Sequence, residues 1–174
     1  MIPKLLDAGR WKLLKEILAL GHPRGEIPGL ELVVFGQLAP RNPPDLGFPI
    51  HYTGHLHDDL SLRALYNAAD ALLVPSRQDN LPNTAVEAHA CGTPVVAFNI
   101  GGLPDIVEHE RTGYLAQAFD TADLAAGIRW VLENGTRTSC RKHARMKAVA
   151  QFSYETVAEK YKAVYRNVQR LGGP

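Results

Sequence analysis

The chain has 174 residues, 45% of them hydrophobic and 21% charged, which excludes general disorder and suits one compact domain. Nineteen Lys and Arg against eighteen Asp and Glu leave a formal net charge of +1, excluding a global attraction to nucleic acid or acidic membranes. Two cysteines, Cys91 and Cys140, neither of them in a C-x-x-C pair, exclude a disulfide framework and give no support to zinc or redox chemistry.

In chain order, Met1 to Arg10 is broken by Lys4, Asp7 and Arg10 and lacks the apolar core of a signal peptide. No run approaches the roughly 18 apolar residues of a membrane span. Reduced thiols and a cytoplasmic location are therefore expected. Leu13, Leu14, Ile17 and Leu18 repeat at helical spacing. Leu30 to Phe35 (LELVVF) is a short run rich in apolar and branched residues, as a strand buried on both faces would be. A proline-rich loop, Pro40 to Pro49, leads to a weaker strand at Ile50 to Thr53. Leu62, Leu65, Ala68 and Ala69 mark a second helix, capped by Asp58 or Asp59 before Ser61.

Ala71 to Val74 and Pro94 to Phe98 are further buried strands. Between them, Asn83 and Thr84 are expected to cap a helix that runs to Ala90 or Cys91 and stops at Gly92. Gly101 and Gly102 precede Pro104, which suits the first turn of a short helix. Gly113 to Ala116 is a short strand, Thr121 or Asp123 opens a helix to Asn134, and Gly135 closes it. Ser153 caps a last helix through Arg170, with Val157, Tyr161, Val164, Tyr165 and Val168 on one face. Alternating strands and helices of this length predict a doubly wound α/β domain with a mainly parallel sheet, helices on both faces and a helical C-terminus.

In such sheets ligands gather beyond the carboxyl ends of the strands. The segment leaving Val74 runs from Pro75 to Glu87 and places Asp79 in a loop, Asn83 at a helix start, and Glu87 four residues on, on the same helix face. A helix N-terminus favours a phosphate or diphosphate. Carboxylates beside such a site call for neutral hydroxyl donors, such as those of ribose and sugars. A ligand that is anionic in the middle and hydroxyl-rich at both ends has the shape of a nucleotide-sugar.

The stretch from Thr53 to Ala116 resembles the donor-binding half of retaining group 1 glycosyltransferases with the GT-B fold. The likeness is carried by Thr53-Gly54-His55, Tyr66-Asn67-Ala68-Ala69-Asp70, Pro75-Ser76, Glu87 to Ala97 (EAHACGTPVVA), Gly101-Gly102-Leu103-Pro104-Asp105 and Thr112-Gly113-Tyr114-Leu115. Two acids separated by seven residues fall on Asp79 and Glu87. The D-N-L-P-N form, with Asp where the family usually has Glu, resembles bacterial envelope-polysaccharide transferases. The resemblance implies that Glu87 accepts hydrogen bonds from the ribose hydroxyls and that Asp79 holds a hydroxyl of the transferred sugar. It implies that the N–H groups of Asn80 and Leu81 orient that sugar, and that those of Asn83 and Thr84 face the diphosphate. Arg10 and Lys12 are candidates for the diphosphate's cationic partners, with solvated residues of the first helix as the alternative. His55 is a candidate for contact with the base or sugar.

The resemblance further implies chemistry without a metal or other cofactor, and an N-terminal acceptor domain that this chain lacks. The chain then reads as the C-terminal half of a larger enzyme, binding donor but transferring little alone, with an apolar patch exposed on its last helix. A nucleotide-sugar epimerase of the same fold and a non-catalytic nucleotide-binding module are the alternatives. His51, His55, His57, Asp58 and Asp59 are dense but match no zinc or iron spacing. Arg137, Arg141, Lys142, Arg145 and Lys147 read as a solvated helix face, with peripheral contact with anionic lipid as a secondary reading and no nucleic-acid motif.

Overall fold

The computed structural model describes residues 29–135 and 138–171. The first predicted helix, with Arg10 and Lys12, lies outside them, as does Arg137. Strand β1 (Leu32–Phe35) pairs in parallel with β2 (Ile50–Gly54). Helix α1 (Asp59–Ala68) follows, then β3 (Leu72–Val74), α2 (Asn83–Ala90), β4 (Val95–Phe98), a single-turn α3 (Leu103–Ile106) and β5 (Gly113–Ala116). Strands β3, β4 and β5 form a second parallel ladder with β4 in the middle. Helix α4 (Thr121–Trp130), a wide helical turn (Val131–Gly135), α5 (Thr138–Phe152) and α6 (Tyr154–Leu171) complete the order.

All four β4 residues are buried, and their alternation divides the core. Val95 and Ala97 pack with Tyr66, Val74, Ala85, Ala88 and Ile106 on one face. Val96 and Phe98 pack with Ala116, Leu124 and Ile128 on the other. Covering both faces of a parallel sheet with helices is the doubly wound arrangement predicted from continuous apolar strands. The backbone ladders nevertheless fall into a two-stranded and a three-stranded set. Side-chain packing links β1 to the second set: Phe35 packs against the cluster that holds Val74, Val95 and Ala97, and lies edge-on to Tyr66 of α1 at 5.8 Å.

Several boundaries follow their predicted signals. The Asp58 carboxylate caps α1 by accepting from the Ser61 N–H at 2.7 Å, which holds its carboxyl below the usual range. Gly92 ends α2 at φ +76°, the left-handed geometry that favours glycine. Ser153 Oγ accepts from the Thr156 N–H at the start of α6.

Other readings are corrected. Asn83 and Thr84 do not cap α2; they are its first two residues, and Pro82 holds the cap position without a side-chain hydrogen bond. Thr121 does open α4, behind a cap from Asp120, whose side chain accepts from the N–H groups of Ala122 and Asp123. That helix ends at Trp130, and a wide turn carries the chain on to Gly135. On α1 the deeply buried residue is Tyr66, whereas Ala68 is exposed.

The basic run on α5 is not simply a solvated face. Arg141 donates to the carbonyl of Ala69, the C-cap of α1, at 3.3 Å, and Arg145 donates to the carbonyl of Ala90 at the end of α2. Lys147, with only 10% of its side chain exposed, sits 3.4 Å from Glu108. Cations at the carboxyl ends of helices meet unpaired carbonyls and the negative end of the dipole. Lys142 alone of the described four keeps the expected exposure without a protein partner. The dense histidine group also resolves into local contacts. His51 pairs with Glu31 at 2.9 Å, and His55 stacks on His57 with centroids 6.0 Å apart. Among the described residues, no helix is long and apolar enough to cross a membrane.

Candidate functional site

Strand β3 ends at Val74, and Pro75 and Ser76 stay buried as the chain leaves the sheet. The chain then surfaces in a loop with Asp79 half-buried and Asn80 and Leu81 exposed. This loop is seated on the turn that follows β4. The Gly102 N–H donates to the Asp79 carbonyl at 3.4 Å. A Cβ on Gly101 would lie 1.8 Å from the Asp79 carbonyl oxygen, and one on Gly102 would lie 1.8 Å from that of Asn80. Gly101 also has φ +52°, so two separate constraints call for glycine there. The Gly-Gly pair thus serves close packing, and its partner is the acid-bearing loop. Among the described residues, no hydrogen bond or ion pair engages the Asp79 carboxylate.

The loop delivers the chain to the N-terminus of α2. Ala85 and Val86 donate to the Pro82 carbonyl, but Asn83 and Thr84 stand in the first turn, where no helix carbonyl lies one turn back. The first turn carries no acidic residue, and Pro82 contributes no capping oxygen. Donor N–H groups and the positive end of the dipole are thus presented without a protein anion to occupy them.

One turn further, Glu87 is exposed on α2. Its Oε2 accepts a hydrogen bond from the phenol of Tyr66 at 2.9 Å. Tyr66 is only 2% exposed, and burial, followed by the neighbouring Glu87 charge, pushes its hydroxyl well above the usual tyrosine range. The phenol therefore stays protonated and donates. Its backbone carbonyl accepts from Thr93 Oγ1 at 2.5 Å, which ties α1 to the turn after α2.

On the opposite side of α2, His89 is buried and its Nε2–H donates to the Thr112 carbonyl at 3.1 Å. Burial depresses its pKa to about 4, so the imidazole is neutral and anchors α2 to the start of β5. Arg77, two residues before Asp79, lies over the Phe119 ring at 4.9 Å.

The structure thus brings Asp79, Asn80, Leu81, Asn83, Thr84 and Glu87 into one loop-and-helix unit. It leaves His55 exposed and stacked on His57. Tyr66 was visible within the resemblance but carried no assigned role. The signal that could have found it is chemical, because a tyrosine on an apolar helix face needs a partner for its hydroxyl.

Comparison with known proteins matches residues 10–134 to the family described as "Glycosyl transferases group 1". A glycogen synthase from Mycobacterium tuberculosis is 38% identical over 120 residues, covering 68% of this chain and 29% of that protein. A D-inositol 3-phosphate glycosyltransferase from Geodermatophilus obscurus is 41% identical over 102 residues, covering 58% of this chain and 22% of that protein. Among solved structures, sucrose-phosphate synthase from Thermosynechococcus elongatus superimposes with a TM-score of 0.73 at 28% identity, over 94% of this chain and 44% of that one. Anabaena Alr3699/HepE in complex with UDP shares the fold, with a TM-score of 0.70 at 21% identity over 90% of this chain and 44% of that one. The chain spans less than a third of the length of these curated relatives.

Proposed function

We infer the role of this chain from its family: it belongs to the group 1 glycosyl transferases. Its task is to bind the donor for a larger enzyme that moves a sugar from a nucleotide-diphosphate sugar to an acceptor with retention of configuration. An N-terminal domain supplies the acceptor site, and the reaction takes place in the cytoplasm. The observation that carries this reading is the uncapped N-terminus of α2, without an acid in its first turn, flanked by Asp79 in the loop before it and Glu87 one turn beyond.

In this reading the N–H groups of Asn83 and Thr84 bind the diphosphate, and Arg10 and Lys12 supply its cationic partners. Glu87 accepts from the ribose hydroxyls, while Asp79 and the N–H groups of Asn80 and Leu81 orient the sugar. Hydrogen bonds to a charged group each contribute about 1.5–3 kcal/mol. The acceptor oxygen attacks the anomeric carbon on the face the diphosphate leaves, its bond forming as the bond to the diphosphate breaks. The acceptor's proton passes to the departing diphosphate oxygen. No nucleophile from this chain is required, and UDP, bound in the Anabaena structure, is the first nucleotide to try.

The test is sugar transfer by the protein carrying its acceptor domain, with Asp79→Asn and Glu87→Gln made separately. Each should lower kcat/KM by about a hundredfold, in line with the loss of one or two charged hydrogen bonds, while the melting temperature holds. A double variant that still transfers sugar at the wild-type rate refutes the assignment. Nucleotide binding without transfer in the wild-type protein would favour a non-catalytic module.

A further inference from the structure

We propose that Tyr66 is the positioning residue for Glu87, presenting its carboxylate to the ribose in a fixed orientation; this rests on the donor-binding reading above. Glu87 is exposed, and an exposed glutamate has three rotatable bonds whose ordering on binding opposes affinity. The phenol removes that freedom in advance. It bonds one carboxylate oxygen, Oε2, at 2.9 Å and leaves Oε1 to accept from a ligand hydroxyl.

The donor is itself immobile. Its ring is buried at 2% exposure and meets the edge of Phe35 at 5.8 Å with planes at 90°. Its carbonyl is bound by Thr93 Oγ1, and α1 is held at its C-cap by Arg141. A rigid, permanently protonated donor beneath a solvent-facing carboxylate does more than fill the core. A phenylalanine would pack as well and leave no buried hydroxyl to satisfy.

The decisive property is dependence on the ribose hydroxyls. Calorimetric titration of the chain with UDP and with 2′,3′-dideoxy-UDP should show that Tyr66→Phe weakens UDP by about five- to tenfold. It should leave the dideoxy nucleotide unchanged. In a Glu87→Ala background, Tyr66→Phe should have no further effect, because the two act through one interaction. Equal weakening of both nucleotides, or an unchanged UDP affinity, overturns the proposal and leaves Tyr66 as packing. Where GDP or ADP is the nucleotide bound, it and its dideoxy form take the place of UDP. If Glu87→Ala itself fails to discriminate between the two forms, or none of the three nucleotides binds, the ribose reading of Glu87 fails and this proposal with it. Should Tyr66→Phe not fold, the surface variant Glu87→Asp decides. Drawn back from the phenol by one methylene, it should lose UDP affinity five- to tenfold and dideoxy affinity not at all; any other outcome overturns the proposal.

Discussion

The carbonyl oxygen of Asn80 occupies the space in which a side chain on Gly102 would begin, with only 1.8 Å between that oxygen and an added Cβ. Backbone cannot give way as a flexible side chain can, so Gly102→Ala must push the Asp79–Leu81 loop off its seat. We expect it to destabilise the fold by about 1–3 kcal/mol, the usual cost of overpacking. Nucleotide-sugar affinity should fall at least tenfold, since small misplacements of a positioning loop are amplified in binding. Urea unfolding and calorimetry on the same sample check both effects, and an alanine variant with wild-type stability and affinity would contradict them.

His89 makes stability depend on pH. Its folded pKa, about 4 against an ordinary 6.5, is lowered chiefly by burial, so the unfolded chain binds the proton more readily. The contribution of this histidine is therefore complete above about pH 6.5 and declines as pH falls towards 4. By pH 5 the loss should reach about 2 kcal/mol, at 1.36 kcal/mol for each pH unit. Urea unfolding between pH 7 and 5 should show this decline in the wild-type chain, and a His89→Gln variant should be flatter by that amount. Parallel curves would mean that His89 is protonated in the fold.

The last helix carries an apolar face without a partner among the described residues. Tyr161, Val164, Tyr165 and Val168 are between 57% and 64% exposed and recur at helical spacing. An exposed apolar face of this kind marks an interaction surface. The isolated chain should self-associate as its concentration rises, and replacing Tyr165 and Val168 together by lysine should abolish this with little change in melting temperature. Sedimentation velocity reads the first effect and thermal unfolding the second. A cooperative loss of structure in the variant would show instead that the face is part of this domain's own core.

How much of this was legible beforehand depended on the range of the interaction. Strands such as Val95–Phe98 and stops such as Gly92 are encoded locally, in apolar runs and in a residue tolerant of positive φ. The placement of Asp79 and Glu87 on either side of a helix start was also local, since nine residues of loop and helix, Asp79 to Glu87, contain it. The roles of Gly101, Gly102 and Tyr66 were not legible. Each depends on a partner some 20 residues away that only folding brings near, the acid loop for the glycines and Glu87 for the phenol. The basic residues of α5 misled for the same reason, because charge reads as solvation until the helix ends it faces are known. Asn83 was misread as a cap because its side chain is a good capping group, although Pro82, whose restricted φ suits the position, already occupies it.

The most direct test of the account is calorimetric titration of this chain with UDP, GDP and ADP, repeated on Glu87→Ala. One nucleotide should bind in preference to the others, and the variant should bind it about tenfold to a hundredfold more weakly, the loss of one to two charged hydrogen bonds. Heat traces that are flat for all three nucleotides, or an alanine variant indistinguishable from the wild-type chain, would contradict it.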